Sequence, residues 1–86
     1  MERILLDKVD YSKVVNLPEF EVLEPTFYAH VEYSAPFNIY YATITFENNT
    51  ENSGAFPTLN NKKEALDKVI AFLKNERSEY DRGLYD

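Results

Sequence analysis

The stretch Glu19–Phe46, EFEVLEPTFYAHVEYSAPFNIYYATITF, decides the fold. In its first run, EFEVLE, Phe20 and Val22 point to one side of an extended chain, and Glu19 and Glu21 to the other. Alternation of that kind marks a half-buried strand. Pro25 closes the run. Residues 27–33, FYAHVEY, repeat the pattern. Phe27, Ala29, Val31 and Tyr33 make one face, and Tyr28, His30 and Glu32 make the other. Ser34-Ala35-Pro36 reads as a hairpin loop. Residues 37–46, FNIYYATITF, are dense in β-branched and aromatic side chains and predict a third strand. Two apolar sets compete within it. Phe37, Ile39 and Tyr41 share one parity; Tyr40, Ala42, Ile44 and Phe46 share the other. A bulge near Tyr40-Tyr41 is the expected way to turn both inward in succession.

Beyond this core the signals are local. Asn48 to Gly54 reads as a polar turn with Asn52-Ser53-Gly54 within it. A short strand at Ala55-Phe56 follows before Pro57. Asn61 then opens an N-x-x-E sequence ending at Glu64, which resembles a capping box. Leu66, Val69, Ile70 and Leu73 fall at i, i+3, i+4 and i+7, the stripe of an amphipathic helix running to about Asn75 or further. Lys62, Lys63 and Lys68 lie off that stripe. The segment 77–86 is polar and is expected to be mobile. Toward the N-terminus, residues 3–15 are open between helix and strand: Arg3-Ile4-Leu5-Leu6 suits a strand start, and Asp10 suits the cap of a short helix. Pro18 ends whatever precedes it. The expected fold is α+β, one domain over 1–86. An antiparallel sheet of three to four strands carries one amphipathic C-terminal helix on one face.

The bulk numbers agree. A chain of 86 residues is one domain's length, and seven Tyr and six Phe supply large rings for a small core. No cysteine is present, which excludes disulfides, thiolate metal sites and cysteine nucleophiles. The N-terminus carries no signal-peptide run, and no segment reaches the roughly 20 apolar residues of a membrane span. A cytoplasmic location without membrane contact is the expectation. Asn48-Asn49-Thr50 matches a glycosylation sequon and is read as coincidence in a polar turn.

Candidate chemistry is sparse. His30 is the only histidine. A general base needs a nucleophile or carboxylate beside it, and a mid-strand histidine is first an ordinary strand residue. One His with no Cys argues against a structural zinc site. Glu19 and Glu21 stand about 7 Å apart on one strand face, within the range of a glycosidase pair. That chemistry needs a deep pocket, and a solvated face explains the pair without one. There is no Gly-rich phosphate loop. No enzyme activity, cofactor or metal is expected.

Charge is the most informative feature. The net charge is −6, which argues against direct binding of nucleic acid. Between Lys13 and Lys62 there is no Lys or Arg, and the same stretch holds Glu19, Glu21, Glu24, Glu32, Glu47 and Glu51. Glu24, Glu47 and Glu51 fall at strand ends or in turns, where solvation accounts for them. Glu19, Glu21 and Glu32 share the face opposite the core with Tyr28, His30 and, on the inner-face ambiguity above, Tyr40. A surface mixing tyrosine with carboxylates suits a basic protein partner. These six residues are the candidate partner-binding set.

Two resemblances bear on function. From Phe27 onward the order strand, strand, short strand, helix resembles the latter part of a double-stranded-RNA-binding domain. Lys62-Lys63-Glu64-Ala65 is similar to that family's lysine-rich helix entry, although Leu66 stands where the family continues with Lys. That resemblance implies a degenerate domain using the Lys62, Lys63 and Lys68 face. The overall layout is small, acidic, cysteine-free, with a short sheet and a helix. It resembles small acidic phage-encoded inhibitors, anti-CRISPR proteins among them. That resemblance implies an inhibitor occupying the nucleic-acid channel of an enzyme, with carboxylates standing where phosphates would lie. A structural or assembly subunit is the other alternative, with an apolar strand edge or the tyrosine-bearing tail supporting homo-oligomerisation.

Overall fold

The computed structural model describes residues 1–84. Five strands form one sheet in the order β1-β2-β3-β4-β5: Glu2–Leu5, Glu19–Leu23, Phe27–Ser34, Ile39–Phe46 and Glu51–Pro57. Strands β2 to β5 form an antiparallel meander. Strand β1 pairs parallel to β2, Ile4 opposite Val22. The sheet is therefore mixed and has five strands, where three to four antiparallel ones are expected. A parallel pair needs a crossover of about a dozen residues. Here a 3-10 turn, Leu6–Lys8, and a short helix α1, Tyr11–Val14, supply it. Asp10 caps α1 by accepting hydrogen bonds from the Ser12 amide at 3.1 Å and the Ser12 hydroxyl at 2.7 Å.

Helix α2 spans Lys62–Asp81. Its cap is the expected one: the Asn61 side chain accepts from the Glu64 amide at 2.8 Å. Ala65, Leu66, Val69, Ile70 and Leu73 are buried against one face of the sheet. That face is built by Phe20 and Val22 of β2, Phe27, Ala29 and Val31 of β3, and Tyr40, Ala42, Ile44 and Phe46 of β4. Leu6 and Val14 close the same core from the crossover. No bulge interrupts β4. Its register runs unbroken against both neighbours, so only the even set faces inward. Ile39 and Tyr41 stay on the other side.

Two further expectations change. Asn52-Ser53-Gly54 is strand, paired with Ile44, Thr43 and Ala42; the turn is confined to residues 47–50, with Asn49 at φ 67. The expected mobile tail is in part helix. Residues 77–81 continue α2, Tyr80 stacks on Phe46 at 5.0 Å between ring centroids, and Arg77 is ion-paired. Residues 85 and 86 of that tail lie outside the described residues. Among the described residues no helix is long and apolar enough to cross a membrane.

Candidate functional site: the open face of the sheet

With α2 and the crossover on one side, no layer of the described residues covers the other side of the sheet. Its residues are fixed by strand parity, since alternate side chains point to opposite faces. Register then sorts them into rows across the strands. One row is Glu19, Glu32, Tyr41 and Ala55. The next is Arg3, Glu21, His30, Thr43 and Ser53. The third is Leu5, Leu23, Tyr28, Thr45 and Glu51. Acid and histidine thus concentrate on β2 and β3, hydroxyls on β4 and β5, and two leucines at the β1 end.

Five of the six sequence-predicted residues come together here. Glu19, Glu21, Tyr28, His30 and Glu32 all lie on this face. Tyr40 does not. It is 1% exposed, packed under α2 with its ring 5.0 Å from that of Tyr33. The reason is parity: with β4 unbulged, Tyr40 must follow Ala42, Ile44 and Phe46 inward. Tyr41 takes the outward position, opposite Glu32, and is 38% exposed; Tyr28, two rows away opposite Thr45, is 50% exposed. The signal for this was in the sequence. The odd set of β4 contains Thr43 and Thr45, and the even set is wholly apolar. Arg3 and Leu5 also belong to the face, and no sequence pattern announced them, because they arrive through the β1–β2 pairing; Leu23 follows from the parity of Glu19 and Glu21 in β2.

The electrostatics are uneven. Arg3 pairs with Glu21 at 3.2 Å. Glu19 and Glu32 are direct cross-strand partners, an unfavourable placement for like charges. His30 Nε2 lies 3.4 Å from the Glu19 carboxylate and 3.9 Å from that of Glu32. The three ligand-type atoms lie within 4.8 Å of one another. Thr43 and Ser53 continue the row from His30, yet among the described residues no hydrogen bond joins their hydroxyls to the imidazole. A hollow of about 360 Å³ beside this cluster is lined by Arg3, Glu21, Leu23 and Tyr28. Its polar wall is the Arg3–Glu21 ion pair, and its apolar wall is Leu23 and Tyr28.

The lysines of α2 make a thinner surface than their spacing suggests. Lys62 is turned onto Tyr33, its Nζ 4.0 Å from the ring centroid. Lys63 and Lys68 remain exposed. Comparison of the chain with protein-family models, with curated proteins and with solved structures finds no match.

Proposed function

We infer that the chain is a non-enzymatic binding module whose open sheet face docks a basic protein surface. One observation carries the reading: Glu19, Glu21 and Glu32 share an uncovered sheet face with exposed Tyr28 and Tyr41. Flat rings give contact area at low entropic cost, and carboxylates select Lys and Arg. A nucleic-acid channel of an enzyme is the kind of basic surface that fits, with the acidic rows standing in for a phosphate backbone. Inhibition would then be occlusion, with no chemistry on this chain.

The test is charge reversal. Glu19→Lys, Glu21→Lys and Glu32→Lys, combined, should abolish capture of the partner from the cells that produce the protein. Circular dichroism should stay that of the folded chain. Binding of the wild type should fall steeply between about 50 and 300 mM salt, since exposed charges are screened within about 10 Å at 0.1 M. Added DNA or RNA should compete for the partner. Capture that survives the triple reversal, or that ignores salt, refutes the reading.

A further inference from the structure

We propose that Glu19, His30 and Glu32 form a binding site for a divalent first-row transition ion of the zinc type. This goes beyond the docking role of the face and does not depend on it. The argument starts from geometry. Two ligand atoms each about 2.1 Å from a tetrahedral ion are about 3.4 Å apart. His30 Nε2 and the Glu19 carboxylate are separated by 3.4 Å. The Glu32 carboxylate stands at 3.9 Å from the same nitrogen, and a small rotation of an exposed glutamate closes that difference. All three donors fall within 4.8 Å of one another. They project from β2 and β3, adjacent strands in the interior of the sheet whose opposite faces are packed by Phe20 and Val31. The core beneath such a scaffold fixes the backbone positions from which the donors project.

Charge balance points the same way. Glu19 and Glu32 face each other in register, and no Lys or Arg among the described residues pairs with either. The one guanidinium on this face, Arg3, is engaged by Glu21. An imidazole between two carboxylates offers a nitrogen lone pair when neutral, and that is the form a metal takes. One nitrogen and two oxygens make a donor set for zinc and its first-row neighbours. Calcium and magnesium prefer oxygen alone. Three protein ligands leave at least one coordination position open toward solvent, available to water or to a group from another molecule. The apolar core lies on the other side of the sheet, so the ion would be a surface ligand that the fold does not require.

The experiment uses the full chain without an affinity tag, at pH 7.5, titrated with zinc chloride and in parallel with magnesium chloride. Calorimetry reads stoichiometry, and long-range nitrogen–proton spectra read the His30 ring. The expected result is saturable one-to-one zinc binding that moves the His30 Nε2 resonance, with no saturable magnesium response. His30→Gln and Glu32→Gln should each weaken zinc at least about a hundredfold, the upper end of what loss of a supporting outer-shell group costs. Glu51→Gln, an acid on the same face outside the cluster, should leave affinity unchanged. Absence of saturable binding overturns the site. So does zinc binding that persists in His30→Gln and Glu32→Gln, or an equal response to magnesium, which would mark diffuse attraction to an acidic surface.

Discussion

Replacing Arg77 tests whether the end of α2 is fixed by charge. Its guanidinium bridges two carboxylates far away in sequence. Glu24, just past β2, sits 2.9 Å away with a side chain only 10% exposed, and Asp7 of the 3-10 turn sits 3.2 Å away at 67% exposed. Burial alone would lower the guanidinium's pKa. The hydrogen bond from Arg77 to Asp7 and the charges of Glu24 and Asp7 outweigh it, and the net shift is upward. A group raised in the folded state gives its full stabilisation below its unfolded pKa, so this pairing holds across the whole neutral range. Removing one partner of a buried pair costs about 3–5 kcal/mol, and an exposed pair is worth about 0–1 kcal/mol. Arg77 itself is 29% exposed, which places Arg77→Met at about 2–3 kcal/mol on these scales. At about 0.05–0.15 kcal/mol per residue, that is a large part of what so small a domain has. Urea unfolding should show a lower midpoint at unchanged m value. The melting temperature should drop about 10–20 °C, at roughly 4–8 °C per kcal/mol. Double-mutant cycles give the sharper result. Coupling of Arg77 to Glu24 should be about 1.5–2.5 kcal/mol and to Asp7 below about 1 kcal/mol. Equal couplings, or a cost for Arg77→Met under about 0.5 kcal/mol, would refute the assignment of the energy to the buried arm.

Three further outcomes follow from single side chains. Among the described residues the buried Tyr40 hydroxyl has no hydrogen-bond partner, so Tyr40→Phe should stabilise the fold by about 1 kcal/mol at pH 7. Burial first, then Tyr33, raises this phenol above its ordinary 10.0; stability is therefore full below pH 10 and declines as pH climbs further, a decline the Phe variant should lessen in urea midpoints measured from pH 7 to 10.5. Asn38 sits at φ 52, accepts from the Tyr33 hydroxyl at 2.6 Å and donates to the Thr58 carbonyl at 3.0 Å; Asn38→Ala should cost about 2–3 kcal/mol and Asn38→Gly about 1 kcal/mol less, because glycine tolerates the left-handed backbone. Equal costs in chemical denaturation would remove the strain part of that account. Asp10 is held below its ordinary 3.8, chiefly by the Ser12 hydroxyl; its contribution is present above pH 3.8 and lost as pH falls through the lowered value, and Ser12→Ala should move the Asp10 carboxyl titration upward in carbon NMR.

The parts of the fold that were legible share a local origin. Strands β2 and β3 announce themselves by alternation, and the start of α2 by Asn61 and Glu64, because each pattern completes within a few residues. The rest depends on partners far along the chain. Strand β1 is four residues whose pairing with β2 exists only after the crossover has formed. Strand β5 is spelled ENSGAFP, of which only Ala55-Phe56 reads as strand and the part up to Gly54 reads as a turn; pairing with β4 overrides that propensity. Its Gly54 has a spatial reason. A Cβ there would lie 2.8 Å from the Phe56 ring, which packs on Phe72 at 5.4 Å between centroids. The last turns of α2 look solvent-facing, yet Tyr80 stacks on Phe46 and Arg77 reaches residues 53 and 70 positions away. The candidate site follows the same division. Its β2 and β3 members were readable from parity, and Tyr41 replaced Tyr40 once register with both neighbours fixed which way β4 faces.

The acidic pair at the centre of the open face is the place where folding and function pull apart. A Thr, or a Lys, opposite Glu19 would satisfy the register position at no electrostatic cost. Glu32 there costs roughly 0.2–1 kcal/mol by cross-strand repulsion, and the chain's unpaired lysines sit on the helix side, out of reach. Any cation that settles between Glu19 and Glu32 recovers that energy on binding. The pair therefore favours positively charged ligands beyond what a dispersed set of carboxylates would. A guanidinium or ammonium from a protein and a transition ion held with His30 would draw on the same repulsion, and they differ in what else they need. The protein cation uses the Tyr41 ring of the same row and weakens with salt. The metal uses the His30 nitrogen and discriminates zinc from magnesium. His30→Gln weighs the two, since it removes the only nitrogen ligand of the metal while costing the docking face one contact and none of its carboxylates or tyrosines.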